Sequence, residues 1–148
     1  MARDRAWNEF LGEYAGRKAV IYYFTISTVI YYGEKAIDKF ERVLEIFAEA
    51  QGGSGQGNPE MAGAGKLVAI FVPQDYLTAN LDKAEPSVRE RYLAFVENAK
   101  NTPGIIFDKA GRSLDFIDKW SGYYGDTGVV AMECRDRGIP VMLENVEV

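Results

Sequence analysis

The stretch AVIYYFTI, residues 19–26, is a continuous apolar run that is rich in aromatic residues. It lacks the alternation of apolar and polar residues that is typical of a strand with one face in water, so it predicts a strand buried on both faces. A second run of the same character, KLVAIFVP at 66–73, stops at Pro73. Strands buried on both faces are typical of parallel sheets covered by helices.

Segments with helical periodicity lie before, between and after these two runs. Apolar residues recur at spacings of three and four within 4–14, 33–50 and 86–99. Pro86 suits the first position of the last of these helices, because that position needs no backbone donor. These segments supply the helices that a parallel sheet needs on its faces.

The C-terminal third alternates short strands and helices. TPGIIFD contains a short strand near 105–107, GYYGD at 122–126 a fourth strand, and IPVMLEN at 139–145 a fifth. Between them, Ser113 is the predicted N-cap of a helix over LDFIDKW, and TGVVAMECRDRG at 127–138 is a further helix. The chain 1–148 is therefore predicted to be one α/β domain, a Rossmann-like, mostly parallel five-stranded sheet with helices on both faces.

One segment fits neither periodicity. QGGSGQGNPEMAGAG at 51–65 mixes glycines with polar residues and is predicted to be a flexible surface loop. The AGAGK sequence at its end is not a Walker phosphate-binding loop, because position 60 is Glu and position 67 is Leu.

Composition excludes several classes of function. The net charge of −5 argues against electrostatic binding of nucleic acid or of an anionic membrane over a broad surface. No apolar stretch approaches the ~18 residues of a spanning helix, and one cysteine cannot form an internal disulfide, so we expect a cytoplasmic protein without membrane insertion. The chain has no His, the usual proton shuttle and metal ligand, so no metal site is predicted. Acid-base chemistry would fall to carboxylates, Lys, Tyr or Cys134.

Three loops are predicted to meet at the carboxyl edge of the sheet, where ligands bind in open parallel sheets. They are 25–28, 72–76 and 125–128. In the last, the amides of Thr127, Gly128 and Val129 would point out of a helix start that favours anions, and the Thr127 hydroxyl is a further donor. The alternative is that Asp126 or Thr127 only caps the helix.

Other residues near this edge also allow two interpretations. Tyr123 and Tyr124 are adjacent in a strand and so point to opposite faces, which favours packing over ligand stacking. Glu133, two turns into the following helix, can accept a pair of ribose hydroxyls or can be an ion-paired surface residue. Ser27 and Thr28 belong to a hydroxyl-bearing segment, TIST, that would suit FMN phosphate in a flavodoxin-like electron carrier.

The tail YYGD, followed by a short helix and then GIPVMLENVEV, resembles the nucleotide-binding half of the CDP-glycerol glycerophosphotransferase-like family. Weaker likeness extends back to about Trp7 through GRKAVIYY, ISTVIYYGEKAIDKF and AIFVPQDYL. The family is similar to two-domain GT-B transferases that use a nucleotide donor. The resemblance implies a CDP- or UDP-linked ligand, a phosphate site at Asp126, Thr127 and Gly128, and a ribose contact at Glu133.

The sequence also departs from that family. Its Arg-Pro-His-Pro motif aligns with Val72, Pro73, Gln74 and Asp75, so the histidine and arginine are missing. Gln74 can hydrogen-bond a ligand but cannot shuttle a proton. The Asp-x-Ser-Ser pattern keeps one hydroxyl, at Thr127, and the acceptor-binding domain is not in this chain, so another domain or chain would have to supply it.

We therefore expect a domain that binds a nucleotide or phosphoalcohol, needs no cofactor and has no catalytic residues as an isolated chain. If it were an enzyme, it would be a glycerophospho- or glycosyltransferase. Two alternatives remain at this point: an interaction module with an empty cleft, and the flavodoxin-like FMN protein. Ligand binding distinguishes the three.

Overall fold

The computed structural model describes residues 2–24, 26–52, 67–73, 81–125 and 128–143. Five strands form its sheet: β1 (Lys18–Phe24), β2 (Leu67–Pro73), β3 (Ile105–Phe107), β4 (Gly122–Gly125) and β5 (Val141–Leu143). Their order is β3-β2-β1-β4-β5, and all four neighbouring pairs are parallel. The α/β fold with a five-stranded parallel sheet is thus confirmed, and its order is that of a Rossmann sheet through the fifth strand.

Five α-helices are described in the chain. They are α1 (Ala2–Leu11), α2 (Ile26–Tyr32), α3 (Glu34–Gly52), α4 (Pro86–Lys100) and α5 (Val129–Asp136). Shorter 3₁₀ segments occupy Gly12–Tyr14, Leu81–Lys83 and Arg112–Lys119. Pro86 is the first residue of α4, as its missing N–H predicts. In the described part of the chain, no helix combines the length and the apolar character that crossing a bilayer requires.

The two faces of β1 bury different cores. Tyr22 and Phe24 point to one face, where α2, α3 and α4 pack. Ala19 and Ile21 point to the other, where α1, the 112–119 segment and α5 pack. This alternation explains the unbroken apolar run of 19–24, because neither face of the strand meets water.

The first face is dominated by aromatic rings. Phe24 and Phe40 have ring centroids 4.8 Å apart, and Phe95 lies 5.5 Å from Phe40. Each of the three is at most 1% exposed. The helical stripes predicted in α3 and α4 therefore supply the rings that cover β1 and β2.

The second face is closed by the N-terminal helix. Trp7 and Leu11 of α1 are buried in it, and the Tyr14 hydroxyl accepts a hydrogen bond from the Gly104 amide at 2.8 Å. Two ion pairs join α1 to the 112–119 segment, Arg3 with Asp118 and Asp4 with Lys119. The predicted apolar face of 4–14 is thus confirmed, although the α-helix itself ends at Leu11.

Two predicted boundaries in the first half of the chain were wrong. The strand predicted over 19–26 ends at Phe24, and 26–28 form the first turn of α2, because a segment beyond the sheet edge has no neighbouring strand to pair with. Helix α3 continues through Gly52, so the first two residues of the predicted 51–65 loop are helical. The rest of that loop lies outside the described residues.

Candidate functional site

The carboxyl ends of β1, β2 and β4 lie side by side. Phe24 is in register with Pro73, and Tyr23 is in register with Gly125. The segments that leave these strands therefore start from one edge of the sheet, as predicted for 25–28, 72–76 and 125–128.

The chain turns to opposite faces after β1 and after β4. The connection from β1 runs through α2 and α3, which pack on the face of Tyr22. The connection from β4 runs through α5, whose Ala131 and Cys134 are buried on the face of Ile21. Two neighbouring strands whose connections diverge leave a crevice between them, and in open α/β sheets this is where ligands bind.

Gly125 is the last residue of β4 and borders this crevice. Its contact with β1 leaves no room for a side chain, so the position requires glycine. A Cβ built on Gly125 would lie 2.0 Å from the Tyr23 carbonyl oxygen, and φ is +147°. No L side chain fits that distance or readily adopts that backbone conformation. The close approach of β4 to β1 at the crevice therefore depends on glycine at this position.

Gly128 precedes α5 on the other side of the same turn. Its φ of +156° and ψ of −167° belong to a region that is essentially restricted to glycine, and among the described residues nothing lies within 4 Å of a Cβ built on it. The Met132 amide donates to the Gly128 carbonyl at 3.0 Å, so Gly128 is the N-cap. No described side chain therefore crowds the Cβ position of this N-cap.

The predicted start of this helix was wrong by two residues. The sequence placed the helix from Thr127, whereas α5 begins at Val129, because Gly128 has a backbone conformation that no helix contains. The first-turn amides without an intrahelical acceptor are thus those of Val129, Val130 and Ala131. Together with the amide of the N-cap Gly128, they are the amides that the start of α5 can offer to an anion, whereas Thr127 lies outside the described residues.

Several predicted site residues are only partly placed. Asp126, Thr127 and Gln74 lie outside the described residues, so neither the capping role nor the phosphate role is decided for them. The backbones of Ser27 and Thr28 lie in the first turn of α2 rather than in an open loop. Of the predicted phosphate contacts in 125–128, Gly128 is the one whose position is described.

Glu133 has an ion-pair partner on its own helix. Its Oε1 accepts from Arg137 Nη2 at 3.0 Å and from Arg137 Nε at 3.2 Å, a pair four residues apart. This is the ion-paired role that the sequence left open, and both hydrogen bonds go to the same carboxylate oxygen. The ribose role of Glu133 remains a prediction.

The two tyrosines of β4 point to opposite faces, as predicted. Tyr123 belongs to the core on the α5 side, and Tyr124 packs against the core on the α3 side, 5.4 Å from the ring of Tyr22. Tyr123 is 3% exposed. Both side chains therefore contribute to packing of the sheet.

Cys134 has the properties of a core residue rather than of a nucleophile. Its side chain is buried against the sheet. Burial, with a smaller contribution from the Glu133 carboxylate, raises the pKa of its thiol to about 11, and Arg137 opposes this shift. The thiol is therefore protonated at neutral pH and unsuited to nucleophilic chemistry.

We expect the Cys134 thiol to resist labelling in the folded protein at pH 8. With a pKa of about 11, the thiolate fraction is on the order of one in a thousand, and burial further blocks the reagent. Disulfide-exchange titration should show slow release of chromophore in buffer and one rapid equivalent in denaturant. Immediate labelling of the native protein would contradict a buried thiol.

Sequence reasoning missed a buried carboxylate at the same edge of the sheet. Asp108 follows β3 directly and is 5% exposed. It accepts from the Arg112 amide at 3.0 Å, from the Ser113 amide at 2.7 Å and from the Ser113 hydroxyl at 2.6 Å. Asp108 thus caps the 112–119 segment, and the predicted N-cap role of Ser113 was wrong because its hydroxyl donates to Asp108 instead. The aspartate directly after a strand was the available signal.

Within the described residues, no cluster of acidic or cysteine side chains is arranged to hold a metal ion. Comparison with protein-family models, with curated proteins and with solved structures finds no match for this chain.

Proposed function

We propose that the chain binds a nucleotide or another phospho-ligand in the crevice between the carboxyl ends of β1 and β4, against the start of α5. The observation that carries the proposal is the pair of glycines around the turn that follows β4. Gly125 brings β4 within contact of β1, and among the described residues nothing lies within 4 Å of a Cβ built on Gly128. Glycine at position 128 lets a ligand approach the first amides of α5, and a helix start favours a phosphate.

Two further features support a nucleotide over other phosphorylated ligands. The strand order places the crevice where Rossmann sheets hold the phosphates of nucleotides. The tail from Tyr123 to Val148 resembles that of transferases with CDP-linked donors. The proposal includes no catalysis by the isolated chain, because it contains no histidine and no charged side chain at Val72 or Gln74.

The strand order speaks against the FMN alternative. In flavodoxin-like sheets β1 lies between the second and third strands of the chain, whereas here β1 lies between β2 and β4. The segment after β1 also forms the first turn of α2 rather than an open phosphate loop. An interaction module with an empty crevice remains the competing interpretation, and binding experiments separate it from the proposal.

The test is calorimetric titration with CDP, with cytidine as the ligand that lacks phosphate. We expect CDP to bind at least tenfold more tightly than cytidine, because the crevice contacts the phosphates. UDP and ADP report whether the base is selected. No detectable binding of any of these nucleotides would contradict the proposal and favour the interaction module.

Substitutions in the turn after β4 should change CDP affinity in opposite directions. Thr127→Val keeps the side-chain shape and removes one donor, so CDP should bind ~1–2 kcal/mol more weakly, the range for a hydrogen bond to a charged group. Asp126→Asn removes a negative charge beside the phosphates, so CDP should bind more tightly, with an effect that shrinks at high salt. If Asp126 only caps the helix, neither substitution alters a titration.

A further inference from the structure

Strands β4 and β5 are covered by a helix on one face of the sheet. Helix α5 packs on both strands, and its buried residues lie on the face of Ile21. On the opposite face, α3 packs on β2 and α4 packs on β3. Because β4 and β5 lie at the other end of the sheet from β3, these two helices leave that end of the face uncovered.

The uncovered part of this face is apolar. Tyr124 of β4 and Met142 of β5 are in register and point to it together, and Val20 of β1 points the same way beside Gly122. Met142 is 65% exposed, whereas Tyr124 and Val20 are half-buried. We call Val20, Tyr124 and Met142 the sheet floor. Parallel sheets normally have helices on both faces, so an apolar floor of this kind is suited to a further helix.

Helix α3 runs beside this floor. Three acidic residues on one flank of α3 form ion pairs with Arg91 of α4. They are Glu34, Asp38 and Glu41. That flank therefore faces α4, which packs on β3. Since β3 and β5 lie at opposite ends of the sheet, the other flank of α3 faces the sheet floor.

The flank of α3 that faces the floor is basic. Its positions follow one another at helical spacings of four, three and four. They are Lys35, Lys39, Arg42 and Ile46. In the described part of the chain none of the three cations forms an ion pair, and Ile46 is 57% exposed. We call Lys35, Lys39 and Arg42 the basic wall. A chain with a net charge of −5 thus places unpaired positive charge beside its open apolar floor.

The dimensions of the floor match a single helix. β4 and β5 lie one and two strand spacings from β1, about 5 and 10 Å away. Neighbouring helices in one layer are about 8–10 Å apart, so a helix beside α3 would lie over β4 and β5. A flat lipid surface would not reach the floor, because the floor is recessed below the outer side of α3 by about the 10 Å thickness of a helix.

We propose that the sheet floor binds an amphipathic helix of a partner protein, with acidic side chains along the flank that meets the basic wall. Its apolar stripe would remove Met142 and Ile46 from water, which is the usual driving force when a helix enters a groove. Its acidic flank would give partners to the cations of the wall, which selects against basic helices. This floor lies on the α3 side of the sheet, so it is separate from the start of α5, where a nucleotide is proposed to bind.

Two synthetic peptides test the class of partner. Both have ~14 residues with leucines at helical spacing on one face, and beside that face one peptide carries glutamates and the other lysines. Fluorescence anisotropy with the full chain should show about tenfold tighter binding of the glutamate peptide. Equal binding of the two peptides, or no binding of the glutamate peptide up to ~1 mM chain, overturns the proposal. Tighter binding of anionic lipid vesicles than of the glutamate peptide also overturns it.

Reversal of one charge tests the role of the basic wall. Lys39→Glu should weaken binding of the glutamate peptide about fivefold and strengthen binding of the lysine peptide, because an attraction becomes a repulsion. Lys100→Glu is the matched control, since Lys100 is an exposed residue at the end of α4, on the other side of α3. If the two variants change the affinity of the glutamate peptide equally, the wall is not the contact and the proposal fails.

A fluorescent label in the floor tests the position of the helix independently of charge. Met142→Cys can be labelled selectively with a polarity-sensitive fluorophore, because the native Cys134 is buried. Bound glutamate peptide should shift its emission to shorter wavelength, since an apolar helix excludes water there. Leu93→Cys, at a 53% exposed position on α4, carries the same label as a control and should show no shift. Equal shifts at both positions, or no shift at 142 when anisotropy shows that the peptide is bound, would reject binding at the floor.

Discussion

Gly125→Ala is expected to lower the free energy of unfolding by about 4 kcal/mol, the sum of backbone strain and forced displacement of β4 from β1. The added Cβ would lie 2.0 Å from the Tyr23 carbonyl oxygen, which is a backbone atom of a paired strand. Neither strand can yield without breaking the β1–β4 pairing. Thermal unfolding should show a midpoint lowered by about 10–15 °C.

Gly122→Ala is the matched control for this substitution. Gly122 lies at the other end of β4, and a Cβ there would meet its nearest atom, Val20 Cγ2, at 3.7 Å, an ordinary contact. We expect a change of less than about 1 kcal/mol. If the two variants unfold at the same temperature, the close approach at Gly125 is not a feature of the folded protein.

Asp108→Ala is expected to cost about 3 kcal/mol, because it leaves three donors near or within the core without their acceptor. The Arg112 amide, the Ser113 amide and the Ser113 hydroxyl all donate to this one carboxylate. Ser113 is fully buried, and its carbonyl accepts from the indole of Trp120 at 3.1 Å. Loss of Asp108 should therefore loosen the segment that closes one face of the sheet, which denaturant unfolding and tryptophan fluorescence would report.

Two controls test whether the lost stability comes from the buried carboxylate of Asp108 rather than from any replacement of an aspartate in this segment. Asp115→Ala makes the same replacement at an exposed position of the same segment and should change stability by less than about 0.5 kcal/mol. Ser113→Ala removes one of the three donors and should cost about 1 kcal/mol. Equal effects of Asp108→Ala and Asp115→Ala would show that no buried network exists at this position.

Much of the architecture was predictable because buried segments can be recognised from their apolar residues. The apolar runs of 19–26 and 66–73 predicted two strands covered on both faces, and the structure places β1 and β2 beside each other inside a parallel sheet. The apolar stripes of α1, α3 and α4 likewise predicted which side of each helix meets the sheet. These elements are determined by the removal of apolar side chains from water, which depends on residue type and spacing.

Element ends were less predictable, since they depend on partners that the residue type at the end does not specify. Thr25 and Ile26 continue an apolar run, yet β1 ends at Phe24, level with Pro73 of β2. Ser113 has the residue type of an N-cap, yet its hydroxyl donates to Asp108. A hydrogen bond between two residues is decided by where the fold brings them, and local propensity does not contain that information.

For the candidate site, the sequence by itself determined that a strand, a glycine-containing segment and a helix start follow one another at 122–129. It also determined that the chain has no histidine to act as a proton shuttle. Only the tertiary structure decided that β4 lies beside β1 and that Gly125 touches Tyr23, whereas the pair of Glu133 with Arg137, four residues apart, is a local contact that the sequence allowed. The physical reason is that residue type sets what a side chain can do, whereas strand order and register set what it meets. A crevice between strands about 100 residues apart in the chain arises only when the sheet is assembled.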